Sequence, residues 1–479
     1  MALVALSIVG IVAMAALSID IGTLYQSSAE AQRAADAGAL AAARLISMSG
    51  LTGDPANTAT WGQTCGASGP ATPAAIAAVQ QNAVGGNSIP IASISVTYSA
   101  GNAPVSSGST DCTGAGAEFP INPVVTVSVQ QTNLPTFFAH VFGVFNKGWN
   151  AVSASASATA EAFNSSNAGS YGVQPRCVKP WMVPNYDPLN PPPVGAVYCP
   201  GTACTPFVNT ATNGAIEHGG IYPAGVIGES FWLVPDCVAT GGTCTLVSQP
   251  QANYAPTAPP PPPPVPNLQY VPGQVPPLST TTAIPSSKIG ACSEISGSAY
   301  AQAIAGCDQS TQYECAGPDS NTVDLSENPV STNDTTNGAQ CLIHQGTSPA
   351  SDALTAAMIS GQDTLDPFAT NEAPPPTYPF QIQAGTNNPL INAGLTSGTA
   401  ITSSTSIVSV PIYNTGVTIN PGTTSVIIVG FLQVFINYVD SAGNVYVTVM
   451  NVAGCGNTPG TVLHGTSPVP VRLITPPSS

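Results

Sequence analysis

The chain has 479 residues, and only 6% of them are charged, where globular domains average about 25%. Seven Lys and Arg residues oppose 23 Asp and Glu residues, for a net charge of −16. So few cations cannot line a groove that neutralises a nucleic-acid backbone, and we expect no nucleic-acid partner. Because 43% of the residues are hydrophobic, the chain is not an acidic disordered segment. Its surface must consist of Ser, Thr, Asn, Gln and Gly, which is typical of an exported protein.

The 12 cysteines are all located beyond residue 60 and indicate structural disulfides formed in an oxidising compartment. None of them forms a CxxC pair, and the histidines are not spaced from them as zinc ligands would be, so we predict no metal site. Two closely spaced pairs are candidates for local disulfide loops, namely Cys199 with Cys204 and Cys237 with Cys244. The remaining connectivity does not follow from the sequence.

Residues 2–19 contain no charge and no proline, and Asp20 ends this run. As a helix the run is about 27 Å long, close to the roughly 30 Å hydrocarbon core of a bilayer. We interpret it as a membrane anchor. A cleaved secretory signal, with a small-x-small site at residues 13–15, and a buried core helix are the alternatives. Cleavage is disfavoured because the helical pattern continues to about Met48.

Small residues recur at four-residue spacing in the second part of this helix, at Ala31, Ala35, Ala39 and Ala43. Such a face allows the backbone of a partner helix to approach closely. The alternative is an alanine-rich helix that forms because of its high intrinsic propensity. The spacing favours helix packing.

The strings at residues 18–25 and 34–43 resemble the amino-terminal domain of TadG-like proteins, which belong to the Flp pilus-assembly, or tight-adherence, machinery. The positions that match the family pattern are Asp20, Gly22, Tyr25, Asp36 and Ala39. Residues 177–185 also resemble a Cys-x-x-Pro-Trp-x-x-Pro element of some of these proteins. No Gly followed five residues later by Glu precedes the helix, so prepilin-peptidase processing is not predicted.

Beyond the helix we predict an α+β fold that is loop-rich, stapled by disulfides and built on antiparallel strands. The expected organisation is residues 1–50 as the transmembrane or amphipathic helix, 51–170 as a small α+β domain and 171–479 as a Pro-, Gly- and Cys-rich exported region. The predicted helices are residues 73–83, a stretch within 133–149, 299–305 and 351–360. The predicted strands are 89–98, 124–130, 151–162, 405–413, 425–439 and 444–452, the last two joined in a hairpin at 440–443. Gly430 is predicted to mark a β-bulge in its strand. Residues 164–170 are predicted to form a domain boundary, and the consecutive prolines 259–264 a polyproline spacer.

Residues with catalytic chemistry are scarce. Phosphate-binding, nucleophile-elbow, zinc-protease and dinucleotide motifs are missing from the sequence. The weak candidates are Glu217–His218 with Glu229, His140, Asp324 with Ser326, and Asp363 with Asp366. Because none of them has a partner at a diagnostic spacing, we interpret them as loop or core residues. We expect no enzymatic activity and no cofactor.

The resemblance implies a membrane-anchored, non-enzymatic component of a Flp-type pilus assembly or secretion apparatus. Its helix is expected to sit in the bilayer and to pack through its alanine face against other pilus-assembly proteins or a second copy. The bulk of the chain is expected outside the cytoplasm. The alternative from a different class is a surface adhesin or envelope-binding protein that uses the helix as a tether.

Overall fold

The computed structural model describes residues 2–53, 64–66, 69–101, 108–116, 119–120, 122–134, 152–163, 173–175, 178–188, 205–209, 215–216, 225–240, 243–246, 252–254, 266–273, 275, 289–306, 313, 321–327, 333–346, 361–366, 380–415, 417–455, 463–465, 469 and 471–474. The chain divides into two compact units. The first contains residues 1–46, 61–162 and 471–479, and the second contains 47–60 and 163–470. The predicted boundaries at residues 50 and 170 stay a prediction.

The helices are α1 (Ala2–Met48), α2 (Ala71–Gln80), α3 (Ala291–Glu294), α4 (Ala299–Ala305) and α5 (Asp334–Ile343). The first eleven strands are β1 (Ile94–Ala100), β2 (Pro123–Gln131), β3 (Ala154–Ala162), β4 (Val173–Pro175), β5 (Trp181–Pro184), β6 (Val208–Asn209), β7 (Ala215–Ile216), β8 (Ser230–Pro235), β9 (Val238–Thr240), β10 (Thr243–Thr245) and β11 (Ala252–Tyr254). The others are β12 (Pro266–Pro272), β13 (Thr322–Asp324), β14 (Thr364–Asp366), β15 (Gln381–Gln383), β16 (Ala400–Ile401), β17 (Ile407–Tyr413), β18 (Thr423–Ser425), β19 (Ile428–Val439), β20 (Val445–Gly454), β21 (Leu463–Gly465) and β22 (Val471–Ile474).

Helix α1 follows the prediction to its carboxy-terminal residue. Ala, Leu and Ile dominate its sequence and it contains no proline, so nothing interrupts the intrahelical hydrogen bonds. The chain leaves the helix through Gly50, whose φ of +79° is a conformation that glycine adopts without strain. The helix therefore ends where a residue suited to a left-handed cap is available.

The first unit is a four-stranded antiparallel sheet packed against helices. Its strand order is β1-β2-β3-β22, so the last strand of the chain completes a sheet begun by the first three. Valines 96 and 127 pair across β1 and β2 on a buried face, as expected for period-two alternation. On the other face, Thr126 and Thr159 share a hydrogen bond of 3.0 Å between their hydroxyls.

Helix α1 approaches the rest of the first unit closely at Gly38. A β-carbon built on Gly38 would lie 2.6 Å from Val79 Cγ2 of α2 and 3.2 Å from Val127 Cγ1 of β2. No side chain larger than hydrogen fits there without moving a neighbour. This contact fixes α1 against both a helix and the sheet.

The second unit is organised around a sheet of six strands in which the first strand also pairs with the last. Strand order β12-β5-β17-β19-β20-β8 is completed by a further pairing of β12 with β8, and β11 adds to β12. Most of these pairings are antiparallel, whereas β17 with β5 and β12 with β8 are parallel, which the sequence did not predict. All residues of β19 and β20 are buried, so both strands are covered on both faces.

The predicted hairpin between β19 and β20 is confirmed. Asp440 holds the turn, because its Oδ1 accepts hydrogen bonds from the backbone N–H groups of Ala442 at 2.9 Å and Asn444 at 2.8 Å. The bulge predicted at Gly430 is confirmed too, since the β17–β19 register shifts between Ile412, opposite Gly430, and Tyr413, opposite Ile428.

Other predicted elements have mixed outcomes. The segments 73–83, 124–130, 151–162, 299–305 and 405–413 correspond to α2, β2, β3, α4 and β17. The strand predicted from residue 89 starts at Ile94, because Pro90 and a 3₁₀ turn at Ile91–Ser93 precede it. The helices predicted within 133–149 and 351–360, the boundary at 164–170 and the proline spacer at 259–264 fall outside the described residues, except for Asn133 and Leu134.

Lys179 joins β5 to the helical layer of the second unit. Its side chain is buried, and Nζ donates hydrogen bonds to the carbonyl oxygens of Ile304 at 2.7 Å and Gly306 at 2.9 Å, at the carboxy-terminal end of α4. An amine donor at this position satisfies carbonyls that the helix leaves without partners. Burial lowers the pKa of Lys179 to about 7 because desolvation penalises the charged ammonium.

The close approach at Gly38 predicts opposite effects of the same substitution at two positions of α1. We expect Gly38→Ala to destabilise the first unit by about 1–3 kcal/mol through overpacking. Gly22→Ala is the matched control, since a β-carbon there meets nothing within 4 Å, and it should be neutral or gain up to about 1 kcal/mol of helix propensity. Denaturant unfolding of both variants measures this, and equal effects at the two positions would contradict the packing at Gly38.

The lowered pKa of the buried Lys179 amine should make the stability of the fold depend on pH. Because its pKa is about 7 in the folded protein and near the ordinary 10.5 when unfolded, the unfolded chain binds more protons between these values. The free energy of unfolding should therefore rise from pH 7 to pH 9.5. Above that range the buried tyrosines act in the opposite direction, since their pKa is raised. In Lys179→Met the rise of the free energy of unfolding with pH, measured by urea titration at each pH, should be reduced. A rise as steep as that of the wild type would show that Lys179 is not its cause.

Candidate interaction surface of the amino-terminal helix

The amino-terminal part of α1 exposes large apolar side chains. Among the described residues, seven of its side chains are strongly exposed: Val4 (61%), Ile11 (62%), Met14 (68%), Leu17 (43%), Ile19 (51%), Ile21 (45%) and Tyr25 (77%). Elsewhere only four comparable side chains are found in the described part of the chain. A concentration of this kind on one helix marks an interaction surface or a lipid contact.

Five of these side chains lie on one side of the helix. Val4, Ile11 and Tyr25 are separated by multiples of seven residues, and Met14 and Ile21 by seven. Met14 follows Ile11 by three residues, and Tyr25 follows Ile21 by four. Steps of three, four and seven residues place side chains in one stripe along a helix. We call these five residues the apolar seam.

The alanine-rich part of α1 is covered by the chain itself. Ala31, Ala35, Ala39 and Ala42 are completely buried, and Gly38 between them contacts α2 and β2. The small residues therefore serve close packing, as their spacing indicates. At Gly38 the contacted surface belongs to this chain's own first unit. The pattern of small residues in α1 does not indicate this partner, because α2 and β2 lie elsewhere in the chain.

The residues of the family pattern do not form a single site. Asp20 is buried, with 2% of its surface exposed, and its carbonyl oxygen accepts a hydrogen bond from Thr23 Oγ1 at 2.8 Å. Tyr25 is exposed and belongs to the apolar seam. Asp36 accepts a hydrogen bond from Gln32 Nε2 at 2.8 Å on the outer side. With Gly22 in open space and Ala35 and Ala39 buried, the pattern spans both the exposed and the covered parts of α1.

Glu30 fastens α1 to the loop after α2. Its Oε2 accepts a hydrogen bond from the backbone N–H of Gly85 at 2.8 Å, and its Oε1 accepts one from Gln26 Nε2 at 2.9 Å. These donors, helped by the charge of Arg33, lower the pKa of Glu30. This contact does not follow from the sequence of α1 alone, and the signal for it is the Gly85–Gly86 turn, where both residues have positive φ.

Disulfides staple both units. Cys65 is bonded to Cys112 in the first unit. In the second unit Cys237 is bonded to Cys244 across the β9–β10 hairpin, and Cys292 to Cys341 between α3 and α5. Cys199 and Cys204 lie outside the described residues. Every cysteine in the described ranges is disulfide-bonded.

The weak catalytic candidates are dispersed. Glu217, His218 and His140 lie outside the described residues, and Glu229 is buried next to β8. Asp324 accepts hydrogen bonds from the Ser326 backbone N–H at 3.0 Å and from its hydroxyl at 2.5 Å, which closes a local turn. Within the described ranges, no group of three or more His, Cys, Asp or Glu residues could hold a metal ion.

A buried polar cluster at the end of β19 was not identified from the sequence as a unit. Asp363 accepts hydrogen bonds from the Gly385 backbone N–H at 2.8 Å, from Asn388 Nδ2 at 2.9 Å and from Ser404 Oγ at 2.6 Å. His344 lies near it in a left-handed conformation, with φ of +60°. Desolvation lowers the pKa of His344, and the charge of Asp363 opposes this shift. The donors surrounding Asp363 are neutral, so the cluster fastens loops together.

Within the residues whose placement the structure describes, no helix is both long enough and apolar enough to cross a membrane. The membrane anchor stays a prediction.

Comparison with known proteins places the resemblance at the amino terminus. No curated protein and no solved structure matches the chain. The family model for Flp pilus-assembly TadE/G-like domains matches residues 1–45, which are nearly all of α1. The chain thus carries a TadE/G-like Flp pilus-assembly domain at its amino terminus.

Proposed function

We propose that this protein is a membrane-anchored, non-enzymatic component of a Flp-type pilus assembly apparatus. In this proposal the apolar seam and its neighbours on α1 lie in the bilayer, and both disulfide-stapled units lie outside the cytoplasm. The observation that carries the proposal is the exposure of seven large apolar side chains within a segment that matches the TadE/G-like family.

The dimensions of the exposed segment agree with insertion into a bilayer. The uncharged residues 2–19 rise about 27 Å as a helix, against a hydrocarbon core of roughly 30 Å. Residues 2–19 contain no charged residue, and the carboxylate of Asp20 is at the end of this run. Leaving these side chains in water would cost free energy that lipid or a partner helix removes.

Partner contacts are proposed for the seam instead of the alanine face. Ala35 and Ala39 are already buried within the chain, so a partner helix would have to displace the chain's own α2 and sheet to reach them. The seam has the heptad spacing that suits a helix from another pilus-assembly protein or from a second copy. An extracytoplasmic position is supported by the disulfides in both units, which persist in oxidising compartments.

Two acidic substitutions in the seam test the membrane anchor. Each Asp near the middle of a spanning helix costs about 2.5–3.5 kcal/mol, so Ile11→Asp with Met14→Asp should move the protein from the carbonate-resistant membrane fraction to the soluble fraction. Piliation of cells that express the variant should be lost with it.

The control is another strongly exposed apolar residue elsewhere in the chain. Leu390, with 54% of its surface exposed, lies outside α1, and Leu390→Asp should remain in the membrane fraction and support piliation. A wild-type protein found entirely in the soluble fraction would exclude the anchor. Normal piliation by the double variant, despite its release from the membrane, would instead support the adhesin alternative.

A further inference from the structure

We propose that β22 is an exchangeable strand, through which two copies of this chain form a dimer. In the dimer, β22 of each copy pairs with β3 of the other, in the register seen within one chain. The proposal goes beyond pilus assembly, and neither a membrane nor a pilus is needed to test it.

The position of β22 in the chain makes exchange possible. It belongs to the first unit, yet residues 163–470, which form most of the second unit, separate it from β3. Its pairing with β3 is therefore a long-range contact between a terminal strand and a sheet edge. Exchange of a terminal element of this kind retains every native contact and changes only which copy supplies it.

The attachment of β22 is slight compared with the other pairings of its sheet. Four residue pairs join it to β3, whereas β2 and β3 share eight. Its outer surface is open, with 42% of Leu473 exposed. The Arg472 side chain is 55% exposed and forms an ion pair with Glu161, whose side chain is only 6% exposed. A short, open edge strand of this kind separates from its sheet more readily than an inner strand does.

Strand β3 needs an occupant at this edge. Thr159, Ala160 and Ala162 are almost completely buried, as is Glu161. When β22 leaves, the backbone groups of β3 lose their hydrogen bonds, and the buried Glu161 carboxylate loses its cation. An unpaired edge and an uncompensated carboxylate both favour capture of another strand.

The chemistry of the edge selects a second copy of the same chain. A matching strand must supply a cation opposite Glu161 and apolar or β-branched residues beside it. The whole chain has only seven Lys and Arg residues, and among the strands that the structure describes β22 alone contains one. The segment best suited to the vacated edge is therefore another copy's β22.

Charge reversal distinguishes exchange from pairing within one chain. In Glu161→Arg and in Arg472→Glu, like charges oppose each other within each chain, and also between two copies of the same variant. When the two variants are mixed, both exchanged contacts join opposite charges. We expect the mixture, in detergent, to form a species of twice the 48.0 kDa chain mass by light scattering, at a population at least tenfold above that in either variant alone.

Two controls accompany the mixing experiment. The double variant Glu161→Arg with Arg472→Glu restores the ion pair within one chain and should behave as the wild type. A mixture that gives no more dimer than the single variants, while the double variant is folded, would overturn the proposal.

A second measurement covers single variants that fail to fold. A fluorescent peptide of residues 469–475 should bind wild-type protein at the vacated edge and raise its anisotropy, and the same peptide with Arg472→Glu should bind at least tenfold more weakly. Absence of binding, or equal binding of both peptides, would show that β22 does not exchange.

Discussion

Close packing of α1 on its own sheet is the constraint on which the first unit depends. At Gly38 the helix approaches both Val79 and Val127 so closely that no β-carbon fits. The buried alanines on either side of this glycine extend the contact along the helix. Because one helix carries both the buried stripe and the apolar seam, the packing of its second half determines how its first half is presented.

This arrangement gives the pilus-assembly proposal a physical form. The carboxy-terminal part of α1 is held by small-residue packing and by Glu30, while the amino-terminal part of the same helix exposes large apolar side chains. The TadE/G-like match covers both ends, residues 1–45, so the family pattern includes residues of two kinds. Some, such as Ala39, hold the helix to the domain, and others, such as Tyr25, remain exposed.

The low content of charge has consequences in both units. With few ion pairs available, the strands are held by apolar packing, disulfides and hydrogen bonds, including those that neutral donors make to the carboxyl oxygens of Asp363 and Asp440. The exceptions are informative. Lys179 is buried where helix carbonyls need a donor, and Arg472 is placed opposite a buried carboxylate. Both basic side chains fasten segments that are far apart in the sequence.

Local sequence patterns correctly predicted the uninterrupted α1, the β19–β20 hairpin at Asp440 and the bulge beside Gly430. These depend on helix propensity, alternation and turn chemistry, which act over a few residues. Three features became visible only in the folded chain: the alanine stripe is buried within the chain, β17 and β12 each have a parallel neighbour, and β22 returns to the first sheet. These outcomes depend on contacts between segments that are not neighbours in the chain. A period-two or four-residue pattern specifies that a face will be buried without specifying what covers it.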